Sequence, residues 1–121
     1  MGKRLILAAV SDFLFSTKIN EVARTLGLEV YFLRSTSEAF REFTVKPELL
    51  IVDLNNTRVD GLALITRIRR DARYAHLPIL GYLSHVQVQL RQQAEKAGCN
   101  LVVPRSVFAD KLKGFLSGGL I

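Results

Sequence analysis

The sequence predicts an α/β fold: an open, doubly wound sheet of five parallel strands with helices on both faces. Three observations carry this. Apolar runs of strand length alternate with helically spaced segments five times along the chain. The runs are continuous, as strands buried on both faces require, and Gly or Pro punctuates the joins between elements. At 121 residues the chain fits one domain with one core.

The first strand is Arg4 to Val10, an uninterrupted apolar run. Ser11-Asp12 supplies an N-cap, and Phe15, Ile19, Val22, Ala23 and Leu26 recur at helical spacing up to the stop at Gly27. Glu29 to Leu33 is a second strand, rich in β-branched and aromatic residues. Ser35 to Glu38 reads as a capping box that opens a second helix through Ala39, Phe40 and Phe43, which Pro47 breaks. Leu49 to Val52 forms the third strand and ends in Asp53, followed by the polar loop Asn55 to Arg58. Asp60-Gly61 leads into an amphipathic helix with Leu62, Ile65 and Ile68 on one side and Arg67, Arg69, Arg70 and Arg73 on a cationic side. Ile79 to Leu83 is the fourth strand, Gln87 to Ala97 a helix stopped by Gly98, Leu101 to Val103 the fifth strand, and Val107 to Leu116 the closing helix.

Hydrophobic residues make up 49% of the chain and charged residues 23%, which excludes disordered and fibrous classes. No apolar run approaches the roughly 20 residues of a spanning helix, and the stretch after Lys3-Arg4 is too short for a secretory signal. The expectation is a cytoplasmic protein, neither exported nor membrane-spanning. Cys99, the single cysteine, is expected as a packed thiol, and with only His76 and His85 no zinc-type cluster can be assembled. A formal charge of +6 favours acidic partners without naming one.

In a doubly wound sheet a site forms beyond the carboxyl ends of the strands, where the strand order reverses. That singles out Ser11, Asp12, Asp53, Leu83, Ser84, Pro104 and Arg105. The stretches Leu50-Ile-Val-Asp53 and Val59-Asp60-Gly61-Leu62, and the spacings from Asp53 to Pro78, Gly98 and Arg105, resemble the receiver domain of bacterial response regulators, the chemotaxis-type flavodoxin-like module. The resemblance covers nearly the whole chain and implies one receiver-like domain over residues 1–121, with sheet order 2-1-3-4-5 and five flanking helices. It implies that Asp53 stands at the phosphoacceptor position. A histidine kinase or phosphotransfer protein would be the donor, with Mg²⁺ held by an acidic pair, the acceptor and the carbonyl of Asn55. An anionic carboxylate attacking an anionic phosphoryl group needs such a cation.

The other family positions depart from the pattern. The acidic pair falls on Val10 and Ser11, with Asp12 one residue late, so Asp12 and Asp53 are the carboxylates left for a metal. Leu83 stands where Ser or Thr is expected, with Ser84 next to it, and neighbouring strand residues face opposite ways. Arg105 takes the lysine position and keeps the charge on a bulkier, planar group. The sequence thus reads as a degenerate, pseudo-receiver domain: a stand-alone signalling module that acts through protein contacts, is not an enzyme and requires no cofactor. Mg²⁺ enters only if phosphorylation is retained. Asp53 would then be a structural acid paired with Arg105.

The sequence admits three other readings. One keeps the family chemistry, a phosphoacceptor response regulator in a phosphorelay using Asp53. A second, disfavoured, binds nucleic acid through the Arg67 to Arg73 face, which is more readily explained as a solvated helix side. A third sets Ser84-His85 beside Asp53 as hydrolytic machinery, but no nucleophile elbow surrounds the serine, and His85 reads better as a cap. For partners, the resemblance points to the surface of the fourth helix, fifth strand and closing helix as the docking face for a regulatory protein or a second copy. Tyr82 and Leu120-Ile121 would extend its apolar area.

Overall fold

In the computed structural model the described residues are 3–84, 87–118 and 120. Five strands, β1 (Arg4–Ala9), β2 (Leu28–Phe32), β3 (Pro47–Asp53), β4 (Ile79–Leu83) and β5 (Leu101–Pro104), form one sheet in the order β2-β1-β3-β4-β5. Every pairing is parallel. The order and direction are those expected. Pro47, expected only as a helix breaker, is the first residue of β3 and pairs with Leu5, the place in a strand where a missing N–H costs least.

The continuous apolar runs are explained by two cores. On one face Leu7, Leu50, Val52 and Ile79 pack under α2 (Gly61–Arg70) and α3 (Val88–Ala97). On the other, Ile6, Ile51, Leu80 and Tyr82 pack under α1 (Phe13–Thr25), α4 (Arg105–Asp110) and α5 (Leu112–Leu116). Side chains alternate between faces along a strand, so a strand covered on both sides must be apolar throughout. Each fully buried Ile or Leu contributes roughly 1.5–3 kcal/mol of transfer free energy.

Two helices differ from expectation. The second is a single 3₁₀ stretch, Thr36–Phe40, and does not continue to Phe43. The capping box does not form as expected: the Glu38 carboxylate accepts from the N–H of Arg34, one residue before Ser35, at 2.6 Å, and Ser35 supplies no side-chain cap. The closing helix is two short helices, α4 and α5, the first beginning at Arg105 directly after β5. Gly98 ends α3 at φ +123°, and a Cβ there would come within 2.5 Å of the Arg69 side chain, so the stop needs glycine twice over.

That second contact corrects the cationic helix side. Arg69 is no solvated residue: its guanidinium donates to the carbonyls of Gly98 and Tyr74, each at 3.0 Å, and to Asn100 Oδ1 at 2.8 Å. It ties α2 to the turn before β5. Cys99 is buried as expected, its thiol donating to the Leu101 and Ile79 carbonyls and pushed up to about 11 by burial. His76 is exposed, and His85 lies outside the described residues.

Candidate functional site at the carboxyl ends of the strands

The ends of β1, β3, β4 and β5 bring Asp12, Asp53, Tyr82 and Arg105 to one end of the sheet. Asp12 follows β1 and caps α1, with Oδ1 accepting from the Phe15 N–H at 2.9 Å. Its Oδ2 accepts from Arg105 Nη2 at 2.6 Å. The guanidinium also lies over the Phe15 ring, 4.4 Å from its centroid. Phe15 in turn packs on Tyr82 and Phe108, whose rings stack 4.5 Å apart. The planar fork of an arginine suits both the stacking and the ion pair.

Arg105 therefore pairs with Asp12, and the expected Asp53–Arg105 pair is corrected: among the described residues Asp53 has no ion pair. Asp53 ends β3, half buried, and its Oδ1 accepts from the Asn55 N–H at 2.9 Å. Burial pushes its carboxyl above the usual carboxylate range, opposed by that N–H and by the charge of Arg105. Asp12 moves the other way, held down first by the Phe15 N–H and then by Arg105. Two carboxylates beyond the ends of neighbouring strands, at the α1 cap and at the end of β3, thus have opposite electrostatics.

The loop after β3 is tied on both sides. Asn55 Oδ1 accepts from the Ser84 N–H at 2.7 Å, and its Nδ2 donates to Gln87 Oε1 at 3.0 Å. Asn56 Oδ1 accepts from Ser11 Oγ and from the N–H groups of Arg58 and Val59, and its Nδ2 donates to the Ala9 carbonyl at 3.1 Å. Sequence reasoning named Ser11 and Asn55 but missed Asn56, which joins the loop after β1 to the loop after β3. Its only sequence signal is its place in a polar loop beside the site.

Leu83 is buried in the core under α2 and α3. Tyr82, which pairs with Asp53 in register, belongs to the opposite core with α1 and α4, so it does not extend an apolar face around α3. It is 1% exposed, and its hydroxyl has no hydrogen-bond partner among the described residues. Burial, then the nearby charge of Asp53, pushes the phenol well above its ordinary range. Leu120 packs against the same core and lines a cleft of about 340 Å³ with Leu49 and Pro78, at the far end of the strands from Asp53. Ile121 lies outside the described residues.

A divalent cation of the magnesium type wants several oxygen ligands in near-ideal geometry. Here both Asp12 oxygens are engaged, one by a backbone N–H and one by a guanidinium, so Asp53 and the Asn55 carbonyl are what remains. No group of three or more His, Cys, Asp or Glu side chains among the described residues is placed to hold a metal ion. The donor set does not fit the ion.

Among solved structures the chain resembles a response regulator from Hahella chejuensis, at 19% identity and TM-score 0.83 over 97% of this chain and 95% of that one. It resembles a chemotaxis response regulator of Vibrio cholerae at 16% identity and TM-score 0.80, over 98% and 100%. The receiver domain of a sensor histidine kinase from Pseudomonas aeruginosa, solved with magnesium coordinated in its active-site cleft, aligns at 19% identity and TM-score 0.79, over 97% of each chain. No family model and no curated protein sequence matches the chain. At such identities the likeness establishes the fold, the five-stranded flavodoxin-like fold that response regulator receiver domains use.

Proposed function

We propose that the protein is a receiver-like module of two-component signalling that works through contacts with a regulatory protein and has given up metal-dependent phosphoryl transfer at Asp53. The likeness to receiver domains supports the signalling role. One observation carries the degenerate reading: the 2.6 Å contact between Arg105 and Asp12. It places a fixed internal cation against the carboxylate that a metal would need, and it is reinforced by the stacking on Phe15. With no divalent ion to neutralise charge as a phosphoryl group approaches Asp53, transfer from a phosphohistidine lacks its main electrostatic support. Leu83 adds to this, since the position of the switch hydroxyl is filled by a buried aliphatic side chain. Recognition then rests on the resting surface itself, and a histidine kinase or phosphotransfer protein remains a candidate partner as a docking protein.

The test is incubation with Mg²⁺ and a small phosphodonor, or with beryllofluoride, followed by intact-mass and amide-NMR measurements. Wild type is expected to show neither a phosphoryl mass increment nor shifts at residues 53–56. A stoichiometric adduct abolished by Asp53→Asn would overturn the proposal and restore the phosphoacceptor reading.

A further inference from the structure

We propose that the cleft between the 41–46 segment after the 3₁₀ turn, the start of β3 and the turn Ala72–Tyr74 after α2 binds nucleotide chemistry: phosphate beside a planar base, supplied by a single strand or by a free nucleotide. The shortened second crossover creates the cleft. A single 3₁₀ stretch cannot cover the edge of the sheet as a full helix would, so Tyr31, Phe40 and Phe43 stay half buried.

Guanidinium groups cover these rings. Arg41 lies 5.0 Å from the Tyr31 centroid and 5.8 Å from that of Phe43, and it donates to the Tyr31 hydroxyl. Arg67 lies 4.7 Å from the Phe40 centroid. Arg73 lies 5.1 Å from that of Tyr74 and donates to the Phe40 carbonyl. Stacked in this way, long cationic side chains lose little further freedom when they meet a ligand.

Arg41, Lys46 and Arg73 converge with Phe43 and Tyr74 on a cleft of about 350 Å³, at the lower end of the roughly 300–1,000 Å³ of small-molecule sites. The nearby carboxylates include Asp71, paired with Arg73 at 3.2 Å, Glu42, which adds to the charge felt by Arg73, and Glu48, which lines the adjoining cleft with Lys46 and Arg73 and is paired with Arg4. Arg41, Lys46 and Arg67 have no ion pair among the described residues. Guanidinium groups held flat over aromatic rings offer both things that sequence-tolerant binding of single strands uses: charge for the backbone and, on their outer faces, planes on which bases stack. An acidic peptide would satisfy the charge and leave the planes unused. The arginine run alone does not make this surface, since Arg69 is spent inside the fold; residues brought in from β2 and the 41–46 segment complete it.

The test is fluorescence anisotropy of a labelled 12-nucleotide uridine strand with the full chain at low salt, with adenosine monophosphate, polyglutamate and polyphosphate as competitors. Saturable binding is expected, weakened about tenfold or more by Arg41→Gln with Lys46→Gln. Lys18→Gln and Arg24→Gln, exposed on α1, should leave it unchanged. Competition by adenosine monophosphate would identify a free nucleotide as the ligand, and competition by strands alone a nucleic acid. Absence of binding, equal loss in the α1 variants, or displacement by polyglutamate or polyphosphate as readily as by the strand would overturn the proposal.

Discussion

The two halves of the strand-end site solve opposite problems. On the β1 and β5 side every charge is answered: Asp12 has a backbone N–H and a guanidinium, and that guanidinium has a ring to lie on. On the β3 and β4 side, among the described residues, Asp53 carries its charge half buried with the Asn55 N–H for support, and beside it the Tyr82 hydroxyl is buried with no partner. The difference teaches where residual strain sits. An answered half stabilises the fold and resists exchange of ligands, whereas an unanswered half costs stability and is retained only if something offsets it.

The largest effect expected from breaking this comparison is at the aromatic stack that joins the halves. Tyr82→Ala empties the space between Phe15 and Phe108 and should cost about 3–5 kcal/mol in urea unfolding. Tyr82→Phe keeps the stack and removes the orphan hydroxyl, so it should gain about 1 kcal/mol, the reverse of the usual sign for a buried tyrosine. On the answered half, Asp12→Ala removes a helix cap and should cost about 1 kcal/mol, with Asp12→Asn recovering most of it.

The smallest effect is the most diagnostic, because it depends on pH. The Asp53 carboxyl is raised by burial in the fold, so its contribution to stability is fully present below the unfolded value near pH 4 and is lost as pH rises through the folded value. Asp53→Asn should therefore be more stable than wild type at pH 7, with the gain shrinking as pH falls toward the unfolded value. Asp12 runs the other way: its carboxyl is lowered, so the stability it supplies is present above the unfolded value and is lost as pH falls through the folded one. An Asp12→Asn variant should show no such gain at neutral pH.

Much of the fold was legible because five continuous apolar runs leave little choice but a sheet covered on both faces. The Asp12 cap and the Gly27 and Gly98 stops were legible for the same local reasons, each being a chemical demand of a helix end. The Thr36–Phe40 segment was not. Its capping pattern is local, but whether a helix continues past Phe40 depends on packing against β2 and α2, where Phe40 meets the Arg67 side chain from α2.

At the site, the strand-end places of Asp53 and Arg105 were legible from the strand pattern and Asn55 was named through the resemblance to receiver domains, whereas the partner of Arg105 was not legible. A guanidinium can reach either carboxylate, and the choice of Asp12 is set by the Phe15 ring one turn into α1. Tyr82 was misassigned because the parity of a strand places Leu83 and Tyr82 on opposite faces, and only the register with Asp53 shows which one borders the site.

The claim that matters most is that Arg105 stands in for a divalent cation. It is tested most directly by a Mg²⁺ titration up to about 10 mM followed at the backbone amides of residues 11–13 and 53–56, in wild type and in the Ser11→Asp, Arg105→Lys double variant. No saturable shifts are expected in wild type, and saturable, millimolar binding is expected in the variant, where a second carboxylate has been added and the planar cation withdrawn. Saturable Mg²⁺ binding by wild type at these same amides would contradict that claim.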